Sequence, residues 1–330
     1  MSERTLSEHD AVEVTHIDFD DNRLAADLAG AHDAHLAILE DALDVRIDPR
    51  GNRFAVSGET GARAYAIAAL ERLYERLKNG LSIAAEDVRA AARNIDATAS
   101  PKAAAAELRT IKTPKRQIAA RTPNQAAYLE KLAGHDLTFG VGPAGTGKTY
   151  LAVAHAVGLL LSDAVDRIIL SRPALEAGER IGFLPGDMKE KVDPFLRPLY
   201  DALHDMMHAD YVERRIAAGD IEIAPIAFMR GRTLARSAVI LDEAQNATPE
   251  QMKMFLTRLG EGAHMAITGD PSQTDLPDGQ PSGLADALAV LSGVDGVAEA
   301  RFTAVDVVRH PLVARIINAY DKRDQNRRRS

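Results

Sequence analysis

Gly142-Pro143-Ala144-Gly145-Thr146-Gly147-Lys148-Thr149 is the stretch from which the rest of the chain is read. Two glycines with four residues between them, then Lys and Thr, form the pattern of a phosphate-binding loop. Glycine permits positive φ and lets bare N–H groups approach anionic oxygens that a Cβ would hold away. Lys148 supplies a mobile cation with the reach for β- and γ-phosphates, and the Thr149 hydroxyl suits one position on a hydrated Mg²⁺. The pattern counts only between a strand and a helix. Leu137 to Val141 reads as a short buried strand, and Lys148 to Leu161 as an apolar, Ala-rich helix whose N-terminus faces the phosphates.

Downstream, Ala238-Val239-Ile240-Leu241-Asp242-Glu243 is an apolar strand ending in paired carboxylates. At such a tip the first acid suits the Mg²⁺ water shell and the second suits the polarisation of an attacking water. That pairing indicates hydrolysis rather than transfer to a small substrate. Ala263 to Thr268 is another strand, followed by Gly269-Asp270-Pro271-Ser272-Gln273. Its tip is expected beside that of the Asp242 strand, with Gln273 placed to report whether the γ-phosphate is attached. A triphosphate is thus expected across the tips of adjacent strands, a layout that requires Lys148 and Asp242 to lie close together.

Upstream, Thr122-Pro123-Asn124-Gln125 precedes a helix over Ala126 to Leu132. The Gln125 amide carries the donor and acceptor that match adenine's exocyclic amine and N7. Arg167 to Leu170 is a buried strand running into Ser171-Arg172-Pro173 at the carboxyl edge, where open α/β sheets bind ligands. Residues 174–198 form a Gly- and Pro-punctuated excursion suited to a lid or binding surface. The helical stretch Asp193 to Arg215 holds His204 and His208 at i, i+4 spacing, yet no third metal ligand accompanies them, and surface histidines are the simpler account. Val297 to Thr303 reads as the last strand and Asp306 to Tyr320 as a terminal helix carrying Arg309. A guanidinium there can spread over the charge developing on a γ-phosphate, often across a subunit boundary. Arg301 and Arg172 are further candidates, and an ion pair with Asp306 is the plain alternative for Arg309.

A length of 330 residues favours two domains, and 27% charged with 46% apolar residues is ordinary for a globular protein. The absence of cysteine excludes disulfides and cysteine-ligated metal centres and fits a reducing compartment. The first thirty residues are too acidic for a signal peptide, and no apolar run approaches membrane-spanning length, so the expectation is a cytoplasmic protein. The net charge of −8 argues against indiscriminate nucleic-acid binding. Its distribution is uneven: Met1 to Thr60 holds fourteen acids against five Lys/Arg, whereas Lys102 to Arg121 holds six Lys/Arg and one Glu. A local basic stripe can still track a phosphate backbone.

Residues Val12 to Asn94 follow the order β-α-α-β-β-α: strands near Val12 to Phe19, Val45 to Asp48 and Phe54 to Ser57, short helices over Asn22 to Ala29 and His35 to Leu43, then a long amphipathic helix with Ala66, Leu70, Leu73 and Leu77 on one face and Gly80 as its stop. Pro49-Arg50-Gly51-Asn52 marks a hairpin turn. The order resembles a KH RNA-binding module, in which a Gly-x-x-Gly loop clamps nucleotide backbone. Here that place reads Gly30-Ala31-His32-Asp33, with the second glycine missing and an acid where phosphate would approach. A small docking domain for a protein partner is the alternative. Ala97 to Thr122, interrupted by Pro101 and Pro114, reads as a basic linker.

Gln125, Gly142 to Thr149, Asp242-Glu243-Ala244-Gln245-Asn246 and Gly269-Asp270-Pro271-Ser272-Gln273 stand in the order seen in superfamily one helicases. The chain as a whole resembles the PhoH-like ATPases, in the form with an N-terminal KH-like domain; Ser171-Arg172-Pro173, Gly182-Phe183-Leu184-Pro185-Gly186-Asp187 and Asp306-Val307-Val308-Arg309-His310 share in the resemblance. It implies ATP binding and Mg²⁺-dependent hydrolysis, use in RNA metabolism, and association with an RNA-processing nuclease. The expected fold is α/β, a RecA-like P-loop core with a parallel sheet behind a small α+β domain. The expected divisions are a KH-like domain over 1–96, a linker over 97–121, the ATPase domain over 122–320 and a basic tail over 321–330. Lys148, Asp242, Glu243, Gln273 and Arg309 are the expected catalytic set, and Thr149 and Asp242 the Mg²⁺ ligands. Gln125 and the loop from Gly142 through Pro143, Ala144, Gly145, Thr146 and Gly147 to Thr149 hold ATP. Because superfamily one helicases close two cores around ATP and one is evident here, a homo-oligomer is expected, with a ring as its closed form and single-stranded RNA as a partner. An ATP-gated adaptor for a protein partner and a small-molecule phosphotransferase are the other readings.

Overall fold

The computed structural model describes residues 13–93, 110–173, 188–277, 279–307 and 323, with only the backbone of 188–195. It divides into two compact units, Met1–Ala106 and Glu107–Ser330.

In the first unit, β1 (Val14–Asp18), β2 (Val45–Arg50) and β3 (Arg53–Gly58) form an antiparallel sheet in the order β1-β3-β2. Alternation along the strands buries Val45, Ile47, Phe54 and Val56. Against this face pack α1 (Asn22–Ala29), α2 (Ala34–Leu43), α3 (Thr60–Lys78) and α4 (Ala85–Arg93). Asp21 caps α1 by accepting from the Arg23 and Leu24 amides. The helix α4, a further element after the β-α-α-β-β-α order read from sequence, places Val88, Ala91 and Ala92 in this core.

The turn between α1 and α2 has a left-handed backbone at Gly30, His32 and Asp33, with φ of 76°, 55° and 60°. A Cβ on Gly30 would lie 2.8 Å from the His35 ring, so glycine is required there. Asp33 adopts the left-handed backbone at the place where the Gly-x-x-Gly pattern has its second glycine. Asp33 thereby presents an exposed carboxylate on this turn.

The second unit opens with a hairpin, β4 (Thr110–Lys112) and β5 (Gln117–Ala119), that sequence alone reads as part of a linker. Ile118 is buried in the core of this unit. The basic run of the hairpin closes the C-terminal end of α7 (Met188–Met206): Lys115 Nζ donates to the His204 carbonyl at 2.6 Å, its amide to the Met206 carbonyl at 3.1 Å, and Arg116 pairs with Asp205 at 2.6 Å. Cations belong at that end, where helix carbonyls lack partners and the dipole is negative.

Six parallel strands follow: β6 (Leu137–Val141), β7 (Arg167–Arg172), β8 (Ile221–Pro225), β9 (Ser237–Leu241), β10 (His264–Gly269) and β11 (Val297–Arg301). Their spatial order is β11-β6-β10-β9-β7-β8. The central strands read as unbroken apolar runs because both faces are covered. On one face lie α5 (Pro123–Gly134), α6 (Lys148–Leu161), α7 and α8 (Ala209–Ala218); the other face packs α9 (Pro249–Leu256) and α10 (Gly283–Val290). The α/β, RecA-like P-loop core expected from sequence is the fold adopted. The expected helix over Asp193 to Arg215 is two helices with a break after Met206, and His208 precedes α8. His204 and His208 therefore do not share one helix, and among the described residues no His, Asp or Glu group is arranged to hold a metal ion.

Candidate active site

The loop after β6 is shaped by its glycines. Gly142 has φ 142° and donates its amide to the Gly269 carbonyl at 3.1 Å, and a Cβ on it would lie 2.4 Å from the Phe302 carbonyl oxygen. Gly145 and Gly147 are left-handed, with φ of 83° and 85°, and Gly147 hands the chain to α6 at Lys148. Lys148 is buried, and its ammonium donates to the carbonyls of Gly142 at 2.6 Å and Pro143 at 2.8 Å. The loop thus closes on a cation at a helix N-terminus, a setting favourable to anions.

Asp242 follows directly on β9. Its Oδ1 accepts from the Thr149 hydroxyl at 2.6 Å and from the Thr268 hydroxyl of β10 at 2.8 Å. Residues 93 positions apart are thereby in contact, joining the loop's helix to the acidic strand tip. The strands β6 and β9 are not neighbours, however: β10 lies between them and contributes Thr268. The tip of β10 lies beside that of β9, as expected, and this middle strand supplies a hydroxyl to the Asp242 carboxylate.

Glu243 turns out of the strand with a left-handed backbone, φ 52°. Both carboxylate oxygens are engaged: Oε1 with Arg172 at the end of β7, at 2.9 Å, and Oε2 with the Gln245 amide at 2.5 Å. Arg172 reaches it because β7 and β9 pair with Ser171 opposite Leu241. The other end of the Gln245 amide accepts from the Asp270 N–H at 3.0 Å. Asp270 opens the turn that carries Gln273, which is exposed and whose own amide donates to the Asp270 carbonyl.

Gln125 is buried rather than open. Its Nε2 donates to the Thr146 carbonyl at 2.9 Å and its Oε1 accepts from the Arg121 amide at 2.7 Å, so the donor and acceptor expected to meet adenine brace the phosphate loop here. Beside it, Asp306 is fully buried and accepts from the Thr122 hydroxyl at 2.6 Å, Asn124 Nδ2 at 2.8 Å and the Thr303 amide at 2.8 Å. Both carboxylate oxygens thus hold the start of α5 to the segment after β11. Asp306, expected to begin the terminal helix, instead ends a 3-10 turn over Ala304–Asp306, and Val307 after it is extended; Arg309, the rest of that expected helix and the Gly182 to Asp187 stretch lie outside the described residues. Arg301 is exposed on β11 and pairs with Glu299 at 2.5 Å.

Two tyrosines border the site. Tyr150 donates to Asp205 at 2.7 Å, and burial first, then that hydrogen bond, pushes its hydroxyl up to about 12. Tyr128 is fully buried against Phe302, and burial raises its hydroxyl far above the usual range, with the Asp242 charge adding to the effect. Sequence reading does not reach Thr268, Gln245 or Asp306 in these roles. Gln245 stands within the acidic motif, and Asp306 three residues after Thr303 fits a capping box, which the structure forms; neither spacing reveals the distant partner.

A PhoH-like protein family profile matches residues 117–321. The chain is 50% identical over 302 residues to a PhoH-like protein of Bacillus subtilis, covering 91% of this chain and 95% of that one. It is 46% identical over 305 residues to a PhoH-like protein of Mycobacterium tuberculosis, covering 92% and 86%. With Protein PhoH of Escherichia coli it shares 47% identity over 205 residues, covering 62% and 58%. No helix among the described residues is long and apolar enough to cross a membrane. With the P-loop core already on structural grounds, these matches show that the chain belongs to the PhoH-like protein family.

Proposed function

We propose that the chain binds ATP with Mg²⁺ and hydrolyses the terminal phosphate. The observation carrying this is the 2.6 Å contact of Thr149 Oγ1 with Asp242 Oδ1 at the N-terminus of α6. Two hard oxygen donors side by side fit Mg²⁺, which Thr149 and Asp242 would hold; when bound, it neutralises charge on the phosphate oxygens. Lys148 and the loop amides carry the charge of the β- and γ-phosphates. Glu243 accepts a proton from water as the water oxygen bonds to the γ-phosphorus and the bond to the ADP oxygen breaks, releasing ADP and phosphate. Gln273, on the turn tied to Gln245, follows that loss. A role for Gln125 on adenine requires it to exchange its bond to Thr146 for one to the base. Arg309 is the proposed arginine acting on the γ-phosphate of a neighbouring copy, which makes the working form a homo-oligomer.

RNA is the partner proposed to be coupled to turnover, supported by the KH-like order of the first unit and by family resemblance. The adaptor reading is favoured by one observation, the Asp33 carboxylate on the α1–α2 turn, which repels phosphate and suits a basic protein surface. ATPase rates of the full chain with and without single-stranded RNA separate the two: stimulation by RNA supports the first, and indifference to RNA with stimulation by a protein supports the second. Thr149→Val keeps the side-chain shape and removes the hydroxyl, so Mg²⁺-ATP turnover should fall at least roughly tenfold. Full turnover in that variant refutes the hydrolytic site.

A further inference from the structure

Arg172 entered as a candidate for the arginine acting on the γ-phosphate; its geometry gives it another task. Its Nη2 lies 2.9 Å from Glu243 Oε1, and Gln245 Nε2 lies 2.5 Å from Glu243 Oε2. Glu243 sits on a left-handed backbone that a non-glycine residue adopts only under constraint from its surroundings. Its side chain has three rotatable bonds and is 40% exposed, so without those two donors it would sample many orientations. Each donor comes from a rigid place: Arg172 ends a strand paired in register with β9, and Gln245 is only 3% exposed and pinned at its other end by the Asp270 amide.

We propose that Arg172 and Gln245 are positioning residues that act on hydrolysis through Glu243, fixing the carboxylate where the attacking water must be met, rather than by contacting nucleotide. Both donors lie within one chain, so the aim of Glu243 is set before any partner binds. Gln245 adds a link of its own: a shift of the Asp270 to Gln273 turn pulls on the amide that holds Glu243. This inference rests on the reading of Glu243 as the group that takes the proton from water.

The test is a double-mutant cycle on the full chain, with ATP affinity measured by a fluorescent ATP analogue and turnover measured both at steady state and in a single turnover with enzyme in excess. Arg172→Ala should lower kcat by roughly 10²-fold, the loss expected when a reacting group is misplaced by about 1 Å, with the nucleotide Kd unchanged. Arg172→Lys should recover part of the rate, because it restores the charge without the planar fork. Gln245→Ala should lower kcat in the same way. In a Glu243→Gln background, Arg172→Ala should cost nothing further. Weakened nucleotide binding in Arg172→Ala, or a second full loss in the Glu243→Gln background, overturns the inference by placing Arg172 on the nucleotide itself. Intact kcat in Arg172→Ala beside an inactive Glu243→Gln protein overturns it alone; full turnover in Glu243→Gln removes the hydrolytic role of Glu243 and this inference with it. The unchanged Kd also serves as the folding control.

Discussion

Replacing Asp306 with Ala should unfasten the second unit at a point far from the phosphate loop in sequence. The carboxylate is fully buried and accepts four hydrogen bonds, from the Thr122 hydroxyl, Asn124 Nδ2, and the amide and hydroxyl of Thr303. A hydrogen bond to a charged group nets about 1.5–3 kcal/mol, and a buried donor left alone costs about 1–3 kcal/mol. Only Thr122 is itself buried among the donors, so the remaining donors can turn to water and the sum is well below four full bonds. A loss of about 4 kcal/mol is the resulting figure, in the range of a broken buried network. For a unit of this size each kcal/mol lowers Tm by about 2–4 °C, so the transition should fall by about 10 °C. The chain has no tryptophan, so differential scanning calorimetry is the suitable assay. A variant melting within about 2 °C of the native chain would refute the claim that Asp306 ties α5 to the segment after β11. Asp306→Asn is the companion variant, since it keeps the volume and loses charge and one acceptor.

Gly142→Ala should destabilise by roughly 2–3 kcal/mol and abolish binding of a fluorescent ATP analogue, because its Cβ would lie 2.4 Å from the Phe302 carbonyl on a backbone at φ 142°. Glu243→Gln should keep nucleotide affinity and lose turnover by roughly 10²–10⁴-fold, the span of general base catalysis, as read in a phosphate-release assay. Tyr150 keeps its proton up to about 12, whereas an unfolded tyrosine releases it near 10. Its contribution is therefore complete below pH 10 and lost as pH rises towards 12, and Tyr150→Phe should flatten that part of the decline in urea midpoints, while Tyr128 and, in the first unit, Tyr74, both raised chiefly by burial, keep their own shares. Asp33→Gly keeps the left-handed turn and removes the carboxylate; if RNA is the partner, affinity for single-stranded RNA should rise, and no change in a filter-binding assay counts against RNA contact at that turn.

The phosphate loop was legible because its chemistry is local: eight consecutive residues hold the glycines, the cation and the hydroxyl, and the flanking strand and helix announce themselves by apolar runs. The same holds for Asp242 and Glu243 at the end of β9 and for the β-α-α-β-β-α order of the first unit. Three features lay beyond local pattern. The place of β10 between β6 and β9 depends on which distant strands pair, and Thr268 gains its role only from that order. The basic run from Lys112 to Arg116 looks like a solvated linker until α7 ends against it, leaving carbonyls for Lys115 to satisfy. Asp306 and Gln125 are ordinary polar residues until burial removes water from them, after which each must find partners in the chain. Residue identity and spacing thus established the candidate chemistry and the elements that carry it. Strand order, and the hydrogen bonds that burial makes obligatory, established which distant groups meet, because those depend on where water is excluded and no short stretch encodes that.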